Sequence, residues 1–141
     1  MIDTGKTRPF ASKQTSASII SCIFLISLLS GSVLANDAGS GSDAGGNASS
    51  ATYLPANNST YYGNLTQGSD TDDYYAVNMS WGTGIAVTIS IPANSDFDLI
   101  LQSSGGAQID SSTNGTGQSD HVTSNGTSVG GSTVYIWVDQ Y

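Results

Sequence analysis

Ile85-Ala86-Val87-Thr88-Ile89-Ser90-Ile91-Pro92 is the stretch on which the fold turns. Ile85, Val87, Ile89 and Ile91 alternate with Ala86, Thr88 and Ser90, so an extended chain here has one apolar face and one small or polar face. A two-residue period belongs to a half-buried strand, whereas a helix needs apolar residues every three or four positions. Pro92 closes the run because it brings no N–H to a ladder. The same period recurs on both sides. Asp73 to Ser80 sets Tyr75, Val77 and Met79 against Tyr74, Ala76 and Asn78. Thr133 to Val138 sets Val134, Ile136 and Val138 against Thr133, Tyr135 and Trp137. Tyr61 to Thr66 reads as a first strand, and Phe97 to Gln102, Gln108 to Ser111 and His121 to Thr123 as shorter ones. Gly, Asn, Asp and Ser clusters separate them, and no helical apolar stripe appears after residue 35. The fold class is therefore all-β: a single antiparallel β-sandwich of jelly-roll or Greek-key type over residues 53–141. Its expected core is Tyr75, Val77, Ile85, Val87, Ile89, Leu99, Leu101, Val134, Ile136 and Val138.

The chain ends at Tyr141, just past the last strand. A sandwich of this kind is expected to need one more strand, so the chain reads as C-terminally truncated. The expected result is an unpaired apolar edge beside residues 133–138.

Upstream of the sandwich the composition changes twice. Residues 36–52 are dominated by Gly, Ser and Asp without period, which reads as a flexible lead-in. Residues 1–35 read as a signal peptide with a helical apolar segment. Lys6, Arg8 and Lys13 form its positive region, the apolar stretch runs from Ile19 to Leu34, and Val33-Leu34-Ala35 supplies a cleavage site after Ala35. An uncleaved membrane anchor is the alternative, and would be the chain's one route to a membrane. Cys22 precedes part of the apolar core, which is wrong for a lipobox. Export gives meaning to seven Asn-x-Ser/Thr sequons, at Asn47, Asn57, Asn58, Asn64, Asn78, Asn114 and Asn125. The expected location is secreted or at the cell surface.

Charge excludes whole classes of function. The 141 residues carry a formal charge of −8, and all three cations lie in the first 13 residues. From Asn36 onward there are ten Asp, no Glu, and no Lys or Arg. Such a surface cannot neutralise phosphates, so no nucleic-acid partner is expected. One Cys and one His cannot build a thiolate/imidazole zinc site, and one Cys forms no internal disulfide.

Few motifs carry chemistry. Gly126-Thr127-Ser128-Val129-Gly130 has the form of a nucleophile elbow, but that motif works on a strand-to-helix turn, and here a strand follows. His121 and Asp120 are adjacent on a strand and point to opposite faces, so they do not form a catalytic pair. Asp96 and Asp98 share a strand direction and could pair as carboxylates, yet a glycosidase site needs an enclosed cleft. The expectation is that the chain is not an enzyme. Acidic clusters at Asp70-Thr71-Asp72-Asp73 and Asp96-Phe97-Asp98 suit a hard cation, since calcium takes six to eight oxygen ligands. No Gly falls at the turn position of an EF-hand loop and no Glu exists to close one. Trp81, Trp137 and Tyr141 are the candidates for contacting an extracellular polymer or protein ligand, the alternative being that they fill the core or a strand edge.

Asp72-Asp73-Tyr74-Tyr75-Ala76-Val77, followed by Asp96-Phe97-Asp98-Leu99-Ile100-Leu101, resembles the pre-peptidase C-terminal domain family. Gly63-Asn64-Leu65 matches its Gly-x-Leu strand and Tyr135-Ile136-Trp137-Val138 its late Tyr-x-apolar-x-Val strand, so the resemblance spans about residues 53–141. The pattern after Tyr141, a Ser/Gly turn and a Tyr-containing strand, is missing. The resemblance implies a non-catalytic β-sandwich of the kind appended to secreted peptidases, with a covalently linked peptidase or other domain as partner. The alternative is a fragment of a larger secreted hydrolase or surface structural protein. Related collagen-binding modules bind calcium through a lead-in and nearby acids. By resemblance, Asp37 and Asp43, with Asp70 and Asp72, are the positions to test for calcium.

Overall fold

The structure, a computed structural model, describes residues 36–125 and 131–141. The expected signal peptide over residues 1–35, with its expected cleavage site after Ala35 and Cys22, and the Ser128 motif lie outside the described residues. Seven strands follow in order: β1 Thr52–Leu54, β2 Asp72–Asn78, β3 Ile85–Ile89, β4 Phe97–Ser103, β5 Gln108–Ser112, β6 Asp120–Ser124 and β7 Thr133–Gln140. They make one five-stranded sheet, ordered β1-β2-β7-β4-β5, and one two-stranded sheet of β3 and β6. The fold is all-β and sandwich-like, with sheets that do not close on one another.

The expected alternation builds the core. In the larger sheet Tyr75, Ile136 and Leu101 line up across β2, β7 and β4, as do Asp73, Val138 and Leu99. The smaller sheet turns Val122, Ile85, Val87 and Ile89 toward them. Leu99, Leu101, Val122 and Val134 are fully buried, each such side chain contributing about 1.5–3 kcal/mol of transfer free energy. β6 lies over β4 and β5, whereas Ile85, Val87 and Ile89 on β3 remain half-buried. The β4–β5 hairpin turns tightly: the Gly106 N–H donates to the Ser103 carbonyl, and φ at Gly106 is 81°, a value that favours glycine.

Three features depart from the sequence reading. Tyr61 to Thr66 forms no strand, and only a single bridge joins Thr66 to Asp70. The first strand is instead Thr52–Leu54, and it runs parallel to β2, so the larger sheet is not wholly antiparallel. Residues 133–138 are no edge, because β7 is flanked by β2 on one side and β4 on the other. Among the described residues the apolar strand with one unpaired edge is β3, which pairs with β6 alone.

The lead-in is also built into the fold. Short 3-10 turns at Asp37–Gly39 and Ala48–Ser50 frame it, Ala44 is fully buried in the core, and the Gly45 carbonyl accepts the Tyr74 N–H. Asn47 Oδ1 accepts the N–H groups of Ser49 and Ser50 and fixes the second turn. Side-chain-to-backbone bonds thus organise a segment whose composition alone reads as linker.

Cavity formation separates core from surface quantitatively. Leu101→Ala is expected to cost about 2–5 kcal/mol, and Ala86→Ser, on the exposed face of β3, less than about 0.5 kcal/mol. Urea unfolding of the two variants checks the difference; equal midpoints would mean that the larger sheet's inner face is not the core.

Candidate metal centre

Period-2 geometry puts Asp73 on the inner face of β2, in line with Tyr75 and Val77, and Asp72 on the outer face. Asp73 is buried, and its Oδ2 accepts the Tyr75 hydroxyl at 3.0 Å. The lead-in brings Asp37 to the same place. Asp37 is fully buried, its Oδ1 accepting the Asn64 N–H at 2.7 Å and its Oδ2 the Ala44 N–H at 3.2 Å. Asp37, Asp43 and Asp73 each present one carboxylate oxygen, all within 4.8 Å of one another. The remaining oxygen of Asp73, Oδ1, is buried with no hydrogen-bond partner. An unsatisfied buried carboxylate oxygen costs free energy unless a proton or a cation compensates it.

The backbone closes over this group. A Cβ on Gly63 would lie 2.7 Å from the Tyr75 hydroxyl oxygen and 3.1 Å from Asp37 Oδ1, so a side chain here would force the loop or the Tyr75 ring to shift. Ala38, next to Asp37, holds φ 54° and ψ 21°, a left-handed conformation that a non-glycine residue adopts at a cost. Its N–H donates to the Tyr62 carbonyl at 2.7 Å, which ties the strained residue to the loop carrying Gly63.

Electrostatics agree with crowding. Burial, reinforced by Asp37, lifts the Asp73 carboxyl from 3.8 to about 7. Burial raises Asp37 as well, against the lowering effect of the Asn64 and Ala44 N–H bonds. Asp70 is raised by burial and by the charges of Asp43 and Asp37, which places it at the rim of the same group. Burial, and the carboxylate of Asp73, also push the Tyr75 hydroxyl up, so Tyr75 is a donor throughout the ordinary pH range.

Of the four positions suggested for calcium, Asp37 and Asp43 converge and Asp70 adjoins them. Asp72 is elsewhere: its Oδ1 accepts the Trp137 indole N–H at 2.8 Å and its Oδ2 the Thr71 hydroxyl at 2.9 Å, on the opposite face. Asp73, which sequence reasoning left out of the set, takes its place. Asp96 and Asp98 are not brought to this group; Asp96 accepts the Thr116 hydroxyl, and Asp98 lies opposite Asp139 in the sheet. His121 is exposed and within 2.7 Å of the Thr88 hydroxyl, while Asp120 points inward, fully buried and bonded by the Ser112 hydroxyl and the Asn114 N–H.

The proposed binding aromatics are dispersed. Trp81 and Tyr141 are exposed at opposite ends of β7, the Trp81 ring against Gly131 and the Tyr141 N–H on the Asp96 carbonyl. Trp137 is half-buried and stacks on Tyr74, with ring centroids 5.4 Å apart. Tyr53 and Tyr62, which the sequence did not single out, are exposed. No helix of the described residues is long and apolar enough to cross a membrane. No model of a known family matches the chain, and no curated protein matches it.

The raised carboxyl gives a signed expectation. Between pH 3.8 and about 7 the folded chain holds a proton on Asp73 that the unfolded chain has released. The folded state binds more protons in that window, so with chelator present stability falls as pH rises through it, by on the order of 4 kcal/mol. Asp73→Asn should remove most of that slope in denaturant titrations from pH 4 to pH 7.5. Separately, Gly63→Ala should open the lead-in, read as faster hydrogen exchange at the Asn64 and Ala44 amides; unchanged exchange would show that the loop can shift to admit a methyl.

Proposed function

We propose that the chain is an exported, non-catalytic accessory module whose lead-in is fastened to a β-sandwich by a divalent cation, with calcium the ion that suits it. The observation that carries this reading is the buried, unpartnered Oδ1 of Asp73 beside the converging carboxylates of Asp37 and Asp43. The donor set is all oxygen, the chemistry of hard cations and not of zinc or copper. A cation there would satisfy the orphan oxygen, offset the mutual repulsion of Asp37, Asp43, Asp70 and Asp73, and hold residues 37–44 against β2.

Export and attachment rest on the sequence: the positive and apolar N-terminal segment, the sequons, and the resemblance to the pre-peptidase C-terminal family, whose jelly-roll sandwiches accompany secreted peptidases. The secreted or cell-surface location follows from the same features. A non-catalytic role is supported by geometry. His121 and Asp120 diverge, and each is engaged elsewhere, with Thr88 and with Ser112 and Asn114.

Thermal unfolding at constant ionic strength, with calcium, with magnesium or with chelator, tests the cation. Calcium at a hundredfold excess over Kd is expected to add about 2.7 kcal/mol relative to chelator. Magnesium should add less, because it demands tighter octahedral geometry. Asp73→Asn should abolish the calcium shift and Asp72→Asn should preserve it. Three coincident melting curves for the unaltered chain would sink the proposal.

A further inference from the structure

A cleft of about 1000 Å³ opens between the two sheets. Its floor is Tyr75, Val77, Ile136 and Val138, β3 forms its roof, and the loop of residues 54–65 forms a further wall. Every residue from Thr83 to Pro92 lines it, those facing inward and those facing outward alike. A cavity beneath a strand would meet only alternate residues; one that meets all of them runs along the strand's edge. That edge is the side of β3 away from β6, and no described strand pairs with it. The cleft therefore offers two things in register: a row of backbone N–H and C=O groups, and a row of half-buried apolar side chains.

These are the recognition elements for an added β-strand, in which the ladder gives affinity and alternate side chains fill the apolar space. Five residues of β3 provide roughly 17 Å of edge at about 3.4 Å per residue. Charge narrows the occupant. The one charged residue in the lining is Asp73, and from Asn36 onward the chain carries ten Asp and no Lys or Arg. An acidic strand would be repelled, and two copies of this sandwich would repel each other.

We propose that this cleft accepts an extended segment of a partner protein, laid along the free edge of Ile85–Ile89, with apolar residues at alternate positions and neutral or basic flanks. The apolar residues insert between β3 and the Tyr75–Ile136 row, and neutral or basic flanks escape the repulsion that the chain's overall negative charge imposes on acidic ones. The proposal does not depend on the cation reading.

Two nine-residue peptides test it against the full chain, sharing an alternating Thr/Val core and flanked by Lys in one and by Asp in the other. A third peptide has the Lys flanks and a central Pro. The Lys-flanked peptide should slow hydrogen exchange at least tenfold at alternate amides of Ile85–Ile89. The Asp-flanked peptide should bind at least tenfold more weakly at low salt, with the gap narrowing at high salt, and the Pro peptide should not bind. Val87→Asp should abolish binding; the exchange map of the unaltered chain decides the matter if that variant fails to fold. Protection away from β3, or equal binding by the Pro peptide, overturns the proposal. So does protection of the same amides without peptide, in a monomer because the chain's own residues occupy the cleft, or in a dimer because a second copy does.

Discussion

The carboxylate of Asp37 is the joint on which the N-terminal part of the described structure depends. One oxygen accepts the Asn64 N–H, 27 residues away, and the other the Ala44 N–H. Those two bonds fasten the connection between β1 and β2 to the lead-in, and they set Ala44 into the core beneath. A buried charge is expensive, and with no Lys or Arg beyond residue 35 it cannot be offset by an ion pair within the sandwich. Backbone N–H groups take that role. None reaches Asp73 alongside, which has only the Tyr75 hydroxyl for one of its two oxygens.

The outer face of the larger sheet answers the same shortage differently. Asp72, Asp139 and Asp98 stand opposite one another across β2, β7 and β4, an arrangement of like charges that weakens a sheet. Burial raises the carboxyls of Asp98 and Asp139, and neighbouring acids raise them further. The Trp137 indole N–H on Asp72, with the Tyr74 ring stacked on Trp137, places a donor and an apolar cover in the row. Trp137 thus has a structural task in the sheet.

How far the sequence could be read depended on the range of the interaction. Local alternation marked β2, β3 and β7 because inward and outward positions differ in hydrophobicity along a single strand. It also contained the position of Asp73, two residues before Tyr75 on the same face, whereas the resemblance pointed to the adjacent Asp72. Pairing was not legible. Nothing within Thr133–Gln140 says that both its edges are occupied, and Thr52–Leu54 is too short to show a period. The role of Asp37 was hidden for the same reason, since its partners are chosen by the fold and not by neighbouring residues. Tyr61 to Thr66 shows the converse error: its composition suits a strand, but it serves as the covering loop that brings Gly63 and Asn64 to the acids.

β7 occupies the middle of the larger sheet although it is the last described strand in the chain. β2 and β4 do not pair with each other, so beyond their ladders with β1 and β5 the inner edge of each waits for Thr133–Gln140, about sixty residues after β2 begins. A chain emerging N-terminus first from a ribosome or a translocation pore can form the β3–β6 ribbon and the β4–β5 hairpin early. It cannot form the central three strands until residues 133–140 have emerged. One edge of β2 and one edge of β4 stay unpaired over that interval, and the mutual repulsion of the Asp residues keeps such chains apart while they wait. The acidity of the sequence thereby protects the order in which the sheet is assembled.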